Sequence, residues 1–325
     1  MQKLLSSFLS LTIKNIIKNT GLLICLTVVF SINGFAQGSW NFAAPTDGSG
    51  NAGAETGKGI CTDASENVYV VGVFTGSSDF DLNAATTSLY TAQGIDGYVA
   101  SYDKNGVFRW KVIVSGVGND FGSPSGAVCT NGTYIWFTGT VNMGGGSIDL
   151  VNPGLGSTVA VTASSSNGAD AIIGKLSCSN GAIVWGTAFG GTGADNGQAI
   201  CADPSGCCYT IGAYTSTFVK NGVTVPATTG GAGSDLYIAK FSQSSALLHV
   251  GTGGATGVGD MGVDGAGICY VPGASPSIVA VGSFGAGTAT YTPFTGITSS
   301  GAKDSYISCK IKSYENKTNF RSGAV

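Results

Sequence analysis

Hydrophobic and polar positions alternate along the chain in short runs, and glycine, asparagine, aspartate and serine separate the runs. In the first stretch the runs fall at about residues 58–62, 67–74, 97–102 and 107–114. Runs of this length between turn residues predict β-strands. The turn Asp103–Gly106, between the last two runs, contains Asn-Gly, which is a strong hairpin signal. The pattern therefore predicts an antiparallel all-β protein.

The same pattern occurs four times along the chain. A cysteine marks an early strand in each copy, at Cys61, Cys129, Cys201 and Cys269. An aspartate opens a later strand, at Asp96, Asp170, Asp235 and Asp304. A third element carries Trp110, Trp185 or His249 and leads into a glycine-rich turn. The three landmarks recur at about 70 residues, a period typical of arrays and propellers.

Each copy holds four runs, and the run 67–74 is apolar on both faces, as expected for a sheet covered on both sides. The repeat therefore predicts a β-propeller of about four blades, each of four antiparallel strands, over residues 37–313. One or two β-sandwiches are the alternative. Polar insertions separate the second and third strands of each copy and are predicted to lie together on one side, where binding loops occur. They span 75–94, 142–168, 215–233 and 285–301.

An extra copy of the tryptophan element, Ser39-Trp40-Asn41-Phe42, precedes the first repeat, whereas the fourth repeat ends after Tyr306–Ile311 without one. We expect these two segments to pair, so that the N-terminal strand closes the ring and removes two exposed sheet edges. A fragment of a larger propeller, forming an open arc, is the alternative. Residues 314–325 are predicted to be a flexible tail.

Composition narrows the fold class. The chain has 53 glycines among 325 residues, 43% hydrophobic residues and 10% charged residues. Glycine at this frequency disfavours helices, because each costs about 1 kcal/mol in a helix interior. The apolar content is enough for a packed core, which excludes a solvated disordered chain.

Residues 1–36 read as a secretory signal peptide. Three lysines and no acid precede the apolar run Gly21–Ile32, and Gly34-Phe35-Ala36 forms a small-x-small cleavage site. An uncleaved N-terminal anchor is the alternative. No later run is long and apolar enough to span a membrane. The mature chain is therefore predicted to be secreted or at the cell surface, without inserting into the membrane.

Charge and motifs limit the candidate chemistry. Removal of residues 1–36 leaves an acidic chain without a basic stripe, which disfavours nucleic acid as a partner. The single histidine, His249, takes the place of a tryptophan in a core strand, so we expect it to be semi-buried rather than catalytic. The sequence predicts no catalytic residue.

Carboxylates are the candidate metal ligands. Asp79 and Asp81 lie two residues apart on an extended segment, so they face the same side and can share a Ca²⁺ ion. Asp149 stands in the sequence Ile-Asp-Leu, which is similar to the sequence around Asp81. Calcium is the one cofactor that the sequence suggests. For the four recurring aspartates we expect a structural role, capping backbone N–H groups at strand starts; a ring of ligands is the alternative.

Four cysteines, namely Cys61, Cys129, Cys201 and Cys269, hold equivalent positions in different repeats. Repeat symmetry keeps such positions apart, so we expect buried free thiols. The pairing of the other mature-chain cysteines is left open; these are Cys178, Cys207, Cys208 and Cys309.

The best-formed copy carries Asn67-Val-Tyr-Val-x-Gly72, Ser78-Asp-Phe-Asp81, Asp96-Gly-Tyr-Val-Ala and Trp110. It resembles the seven-bladed β-propeller repeat of secreted bacterial proteins, over about residues 40–313. Repeats three and four lack the Asp-Phe-Asp stretch, and about four repeats stand where the family has seven blades. The resemblance implies a secreted or surface scaffold and transfers no catalytic residues.

The sequence thus favours an exported, non-catalytic β-propeller that binds a glycan or protein partner at the cell surface. The alternative is a carbohydrate-active lyase or hydrolase that uses loop carboxylates at the propeller mouth.

Overall fold

The computed structural model describes residues 54–83, 85–116, 118–119, 121–142, 147–162, 168–226, 234–256, 267–272, 277–291, 294–307 and 311–312. All of them belong to one compact unit, Ala44–Val325. Every regular element among them is a β-strand, so the predicted all-β class is confirmed. A helix with the length and apolarity to cross a membrane does not occur in these ranges. The signal peptide, Trp40 and the tail 314–325 lie outside the described residues.

Repeat one is an antiparallel meander of four strands in chain order. The strands are β1 (Glu55–Thr62), β2 (Val68–Asp79), β3 (Leu89–Tyr102) and β4 (Phe108–Ser115), and the short β5 (Gly118–Asn119) pairs with β3. All four predicted runs are strands. The turn between β3 and β4 is also as predicted, since the Gly106 amide donates to the Asp103 carbonyl at 3.0 Å.

Repeats two and three have the same four-strand order, each with a hairpin inserted between the second and third strands. Repeat two consists of β6 (Gly122–Thr130), β7 (Tyr134–Asn142), hairpin β8 (Ser147–Asn152) and β9 (Ser157–Thr162), β10 (Ala169–Ser177) and β11 (Ile183–Phe189). Repeat three consists of β12 (Ala199–Ala202), β13 (Cys208–Tyr214), hairpin β14 (Phe218–Lys220) and β15 (Val223–Val225), β16 (Asp235–Phe241) and β17 (Leu247–Thr256).

Repeat four is described over β18 (Gly267–Val271), β19 (Ser277–Tyr291), β20 (Phe294–Ile307) and β21 (Ile311–Lys312). Strand β19 pairs with β18 on one side and with β20 and β21 on the other. The order of strands therefore follows that of the preceding repeats as far as the description extends.

The insertions are strands where the sequence predicted polar loops. Strand β8 pairs with β4 of the preceding repeat, with Val151 opposite Ile113. Strand β17 pairs in the same way with the extension of β19. The physical reason is that β4 and β17 are sheet edges, whose unpaired N–H and C=O groups are satisfied by β8 and by the extension of β19.

First strands of successive repeats lie side by side. A Cβ on Gly59 of β1 would be 3.1 Å from the Cα of Ala127 in β6. Strand β12 in turn contacts both β6 and β18. The repeats are thus joined along their first strands.

A glycine inside the second strand of repeats one and three has a packing reason. Gly72 faces Tyr98 across β2 and β3, and a Cβ there would lie 2.6 Å from the tyrosine hydroxyl oxygen. Gly212 faces Tyr237 in the same way in repeat three, again at 2.6 Å. Both tyrosine rings are buried in the cores of their sheets, so a larger residue at either glycine would displace them.

Candidate functional site

The carboxylates of Asp79 and Asp81 hold the turn that joins β2 and β3. The Asp79 Oδ1 atom accepts hydrogen bonds from the Asp81 amide at 3.0 Å and the Ser88 amide at 2.7 Å. The Asp81 Oδ1 atom accepts from the Asn83 amide at 3.0 Å, and its Oδ2 atom accepts from the Thr86 hydroxyl at 2.6 Å. Both side chains therefore serve the local turn.

Asp149 lies in the insertion of repeat two, on β8, where it faces Ser115 of β4. Asp79 and Asp81 belong to the insertion of repeat one. Within the described ranges, no three histidine, cysteine or acidic side chains form a group able to hold a metal ion. The calcium site at these three aspartates stays a prediction.

The recurring aspartates are buried where their side chains are described. Asp96, Asp170 and Asp235 are 0%, 1% and 7% exposed. The Asp96 Oδ2 atom accepts a hydrogen bond from the Ser115 hydroxyl at 3.0 Å, which ties β3 to the end of β4. The side chain of Asp304, in β20, lies outside the described residues.

Two buried carboxylates meet beside the glycine-rich turn after β11. A Cβ placed on Gly190 would contact both Asp170 Oδ1 and Asp195 Oδ2, so the two oxygens lie only a few ångströms apart. Asp195 also accepts hydrogen bonds from the Gly191 amide at 2.6 Å and the Thr215 amide at 2.9 Å. It thereby links the end of repeat two to the start of the insertion in repeat three.

The electrostatic surroundings of Asp195 favour the protonated form of its carboxyl group. Burial raises the pKa of Asp195 to about 6, and the neighbouring Asp170 charge adds to the shift, against the two amide hydrogen bonds. Lys220 of β14 donates to the Ala188 carbonyl at 2.8 Å and to the Thr187 hydroxyl. Burial lowers the pKa of Lys220, which the Asp170 charge partly offsets. The pair can hold a proton, but at 1% exposure neither carboxyl is open to a polymeric substrate.

The sequence did not point to Asp195 and Lys220 as interacting residues. A signal for Asp195 was present, since an aspartate closes the glycine-rich turn in three repeats, at Asp120, Asp195 and Asp260. Lys220 had no comparable signal, because it lies in an insertion that varies between repeats.

We expect the stability of the protein to fall as the pH rises from 4 to 7. Asp195 has an ordinary pKa of 3.8 and a folded-state pKa of about 6, so the folded protein binds the proton more tightly than the unfolded chain. The loss amounts to at most about 3 kcal/mol above pH 6. Urea unfolding at several pH values measures it.

The control for this pH dependence is D195N, which cannot titrate. Its stability should change less over the same pH range than that of the wild type, whatever its absolute value. Equal slopes for the two proteins would contradict the assignment to Asp195.

A second polar cluster surrounds Arg109 at the opposite end of β3. The guanidinium donates to the Ser101 hydroxyl at 2.8 Å, to the Tyr69 hydroxyl at 3.4 Å and to the Cys178 carbonyl at 3.2 Å. Tyr69 in turn donates to Asp63 at 2.7 Å. Arg109 therefore joins repeat one to repeat two, and its donors are engaged away from Asp79 and Asp81.

Lys111 is a buried amine beside the Asp79 turn. Its Nζ atom donates to the Ser88 carbonyl and lies 4.7 Å from the centroid of the Phe80 ring and 5.9 Å from that of Tyr90. Burial lowers its pKa to about 8, although the Asp79 charge acts in the opposite direction. The amine fastens β4 to the insertion of its own repeat.

His249 is exposed, so the prediction of a semi-buried position is wrong. It lies on β17 opposite Lys240, at the position of Trp110 and Trp185. Those two indoles reach the following repeat, and the smaller imidazole has less surface to bury there.

The cysteines of the described ranges are all free thiols, as predicted for Cys61, Cys129, Cys201 and Cys269. The prediction that all four are buried holds for Cys201, whereas Cys61 and Cys129 are half-buried and Cys269 is exposed. Its neighbours Ile268 and Tyr270 pack against the core, and strand alternation turns Cys269 to the other face. Cys178, Cys207 and Cys208 are also free, and Cys309 lies outside the described residues.

We expect Cys269 to react with a thiol reagent at pH 8 well before Cys61 and Cys201. Burial raises the pKa of both these thiols to about 12, so little thiolate forms there. Mass spectrometry of partially labelled native protein measures the order. A thiol count in denaturant that increases on reduction would show disulfides and contradict the free-thiol assignment.

Comparison with known proteins adds no relative. No protein-family model matches the chain, and no curated protein matches it.

Proposed function

We propose that the protein is an exported, non-catalytic β-propeller that binds a glycan or protein partner at the cell surface. Four-stranded repeats joined along their first strands support the propeller, because blades of a propeller meet in this way around its axis. Under this proposal the chain is a divergent member of the secreted bacterial seven-bladed propeller repeat family, with four blades.

Ring closure by the N-terminal strand completes the proposal. Two of the three fourth strands between the repeats are covered by the next insertion, as β4 is by β8 and β17 by β19. An open arc would leave uncovered edges at its two ends, which is an aggregation hazard. Pairing of residues 39–42 with Tyr306–Ile311 removes them.

A binding function is favoured over catalysis because the acidic side chains are held in hydrogen bonds or buried. Asp79 and Asp81 hold their own turn. Asp170 and Asp195 are buried together. The carboxylates with suitable chemistry therefore have structural partners, and the exposed, variable insertions are the better candidates for contact with a partner.

The rival is a lyase or hydrolase acting through loop carboxylates. It requires Asp79, Asp81 and Asp149 to converge with an arginine or tyrosine in one pocket. Asp149 lies on a hairpin of a different repeat from the other two, and Arg109 is bound to Ser101 and the Cys178 carbonyl. These positions favour a binding function over a lyase or hydrolase.

A glycan array on the exported protein, followed by product analysis on any glycan that binds, tests the proposal. Val219, on the insertion hairpin, is 57% exposed, and Val184, near the opposite end of its repeat, is 47% exposed. We expect the protein to bind a glycan without cleaving it. V219D should weaken this binding at least tenfold, and V184D should leave it unchanged. Cleavage of the bound glycan would establish the enzyme instead. If no glycan binds, the wild type and the same two variants are compared for their ability to capture cell-surface proteins. Equal losses of capture by V219D and V184D would contradict binding through the insertions.

Export has its own test. Mass spectrometry of the exported protein should show an N-terminus at Gln37, because Gly34-Phe35-Ala36 fits the small residues that signal peptidase requires. Exported protein that retains Met1 would contradict the signal peptide.

A further inference from the structure

The first strand of each repeat carries an aliphatic residue followed directly by a cysteine. The pairs are Ile60-Cys61, Val128-Cys129, Ile200-Cys201 and Ile268-Cys269. Successive side chains of a strand point to opposite faces, so each pair presents its aliphatic side chain on one face of the strand and its thiol on the other. Every first strand therefore has an aliphatic face and a cysteine face.

The cores between successive repeats use these two faces in a fixed way. At each junction, the cysteine face of one repeat and the aliphatic face of the next contribute to the same core. The residues that meet in these cores are Cys61 with Val128, Cys129 with Ile200, and Cys201 with Ile268. The three described junctions thus follow one rule of packing.

Each end of the row of repeats has one face left over, and the two faces are of opposite kinds. Ile60 of β1 is 68% exposed, whereas its counterparts Val128 and Ile200 are 8% and 6% exposed. Cys269 of β18 is exposed, and Val271, on the same face, is 40% exposed. Repeat one therefore presents an unfilled aliphatic face, and repeat four presents an unfilled cysteine face.

We propose that a second copy of the chain fills both faces, with the cysteine face of β18 in each copy packed on the aliphatic face of β1 in the other. The two faces are complementary because the same two kinds of face form every described junction. The chain's own repeat four does not cover Ile60, although both belong to one compact unit. Two copies joined head to tail at both ends form a closed ring with two-fold symmetry.

This inference rests on the proposed propeller, to which each copy then contributes four blades. It names the partner of the two end repeats and does not depend on the glycan or protein that binds the insertions. It also gives Cys269 two environments, since the thiol is open to reagents in the separate chain and covered in the pair.

The rate of Cys269 alkylation at pH 8, measured by mass spectrometry over a range of concentrations of the exported protein, tests this docking. We expect rapid labelling in dilute protein and labelling that is slower by about tenfold or more in concentrated protein, because the second copy excludes the reagent. Light scattering should show a change from the mass of one chain to that of two over the same concentrations.

A charge on the aliphatic face of β1 provides the matched comparison. In the I60D variant, docking would bury an unpaired carboxylate, so labelling of Cys269 should stay rapid at every concentration. V184D places the same charge on an exposed valine of β11, away from the first strands, and should behave like the wild type. A fall in labelling rate with concentration that is the same in I60D and in the wild type would overturn the proposal.

Two results with the wild type would also overturn it. Rapid labelling at every concentration would mean that no second copy covers Cys269. Slow labelling at every concentration, with the mass of one chain, would mean that repeat four of the same chain closes the ring, which leaves the proposed propeller in place. Absence of glycan or protein binding would change none of these rates, so failure of the proposed function is distinguishable.

Discussion

Deletion of residues 38–44 is expected to lower the free energy of unfolding by about 5 kcal/mol or to cause aggregation. Under the proposed closure, the deletion removes a strand's worth of hydrogen bonds at about 1 kcal/mol each. A loss of this size is comparable to the whole stability of many domains. Thermal and urea unfolding measure it.

The matched control for this deletion is removal of residues 314–325 at the other end, predicted to be a flexible tail. That truncation should leave the melting temperature unchanged. A near-native melting temperature for the N-terminal deletion would instead favour an open arc, in which the first strand does not close the ring.

The variant W110A is expected to lose about 3–5 kcal/mol. Trp110 is 6% exposed, packs on Gly181 and donates to the Cys178 carbonyl, so its removal leaves a cavity between repeats one and two. Urea unfolding of the purified variant measures the loss.

Trp185 provides the comparison, because it makes the same hydrogen bond while only partly buried. We expect W185A to lose about 1–2 kcal/mol. W110F, which keeps an aromatic ring without the indole donor, should fall between wild type and W110A. Equal losses of unfolding free energy for W110A and W185A would contradict this expectation, because the loss would then not depend on how deeply each indole is buried.

Local patterns were enough to predict the strands of repeat one and the turn at Asp103–Gly106, because alternation and turn residues are encoded within a few positions. The predicted burial of Cys269 was wrong, because which face of a strand is buried depends on the elements that pack against it.

The insertions show what local pattern cannot supply. Their polar sequences predicted loops, yet β8 is a strand because the edge of β4 offers it backbone partners from another repeat. The contact between Asp170 and Asp195 likewise joins residues from two elements, and only the fold brings them together. The sequence singled out Asp79 and Asp81 as possible ligands, but their engagement in the turn between β2 and β3 was not foreseen.

Hydrogen–deuterium exchange at Lys303–Ile311 tests the closed ring most directly. A closed ring predicts slow amide exchange there in the full chain and fast exchange after deletion of residues 38–44. Strand β10 (Ala169–Ser177), which is flanked by β7 and β11, is the internal reference and should stay protected. Exchange at Lys303–Ile311 that is the same with and without the N-terminal strand would contradict closure.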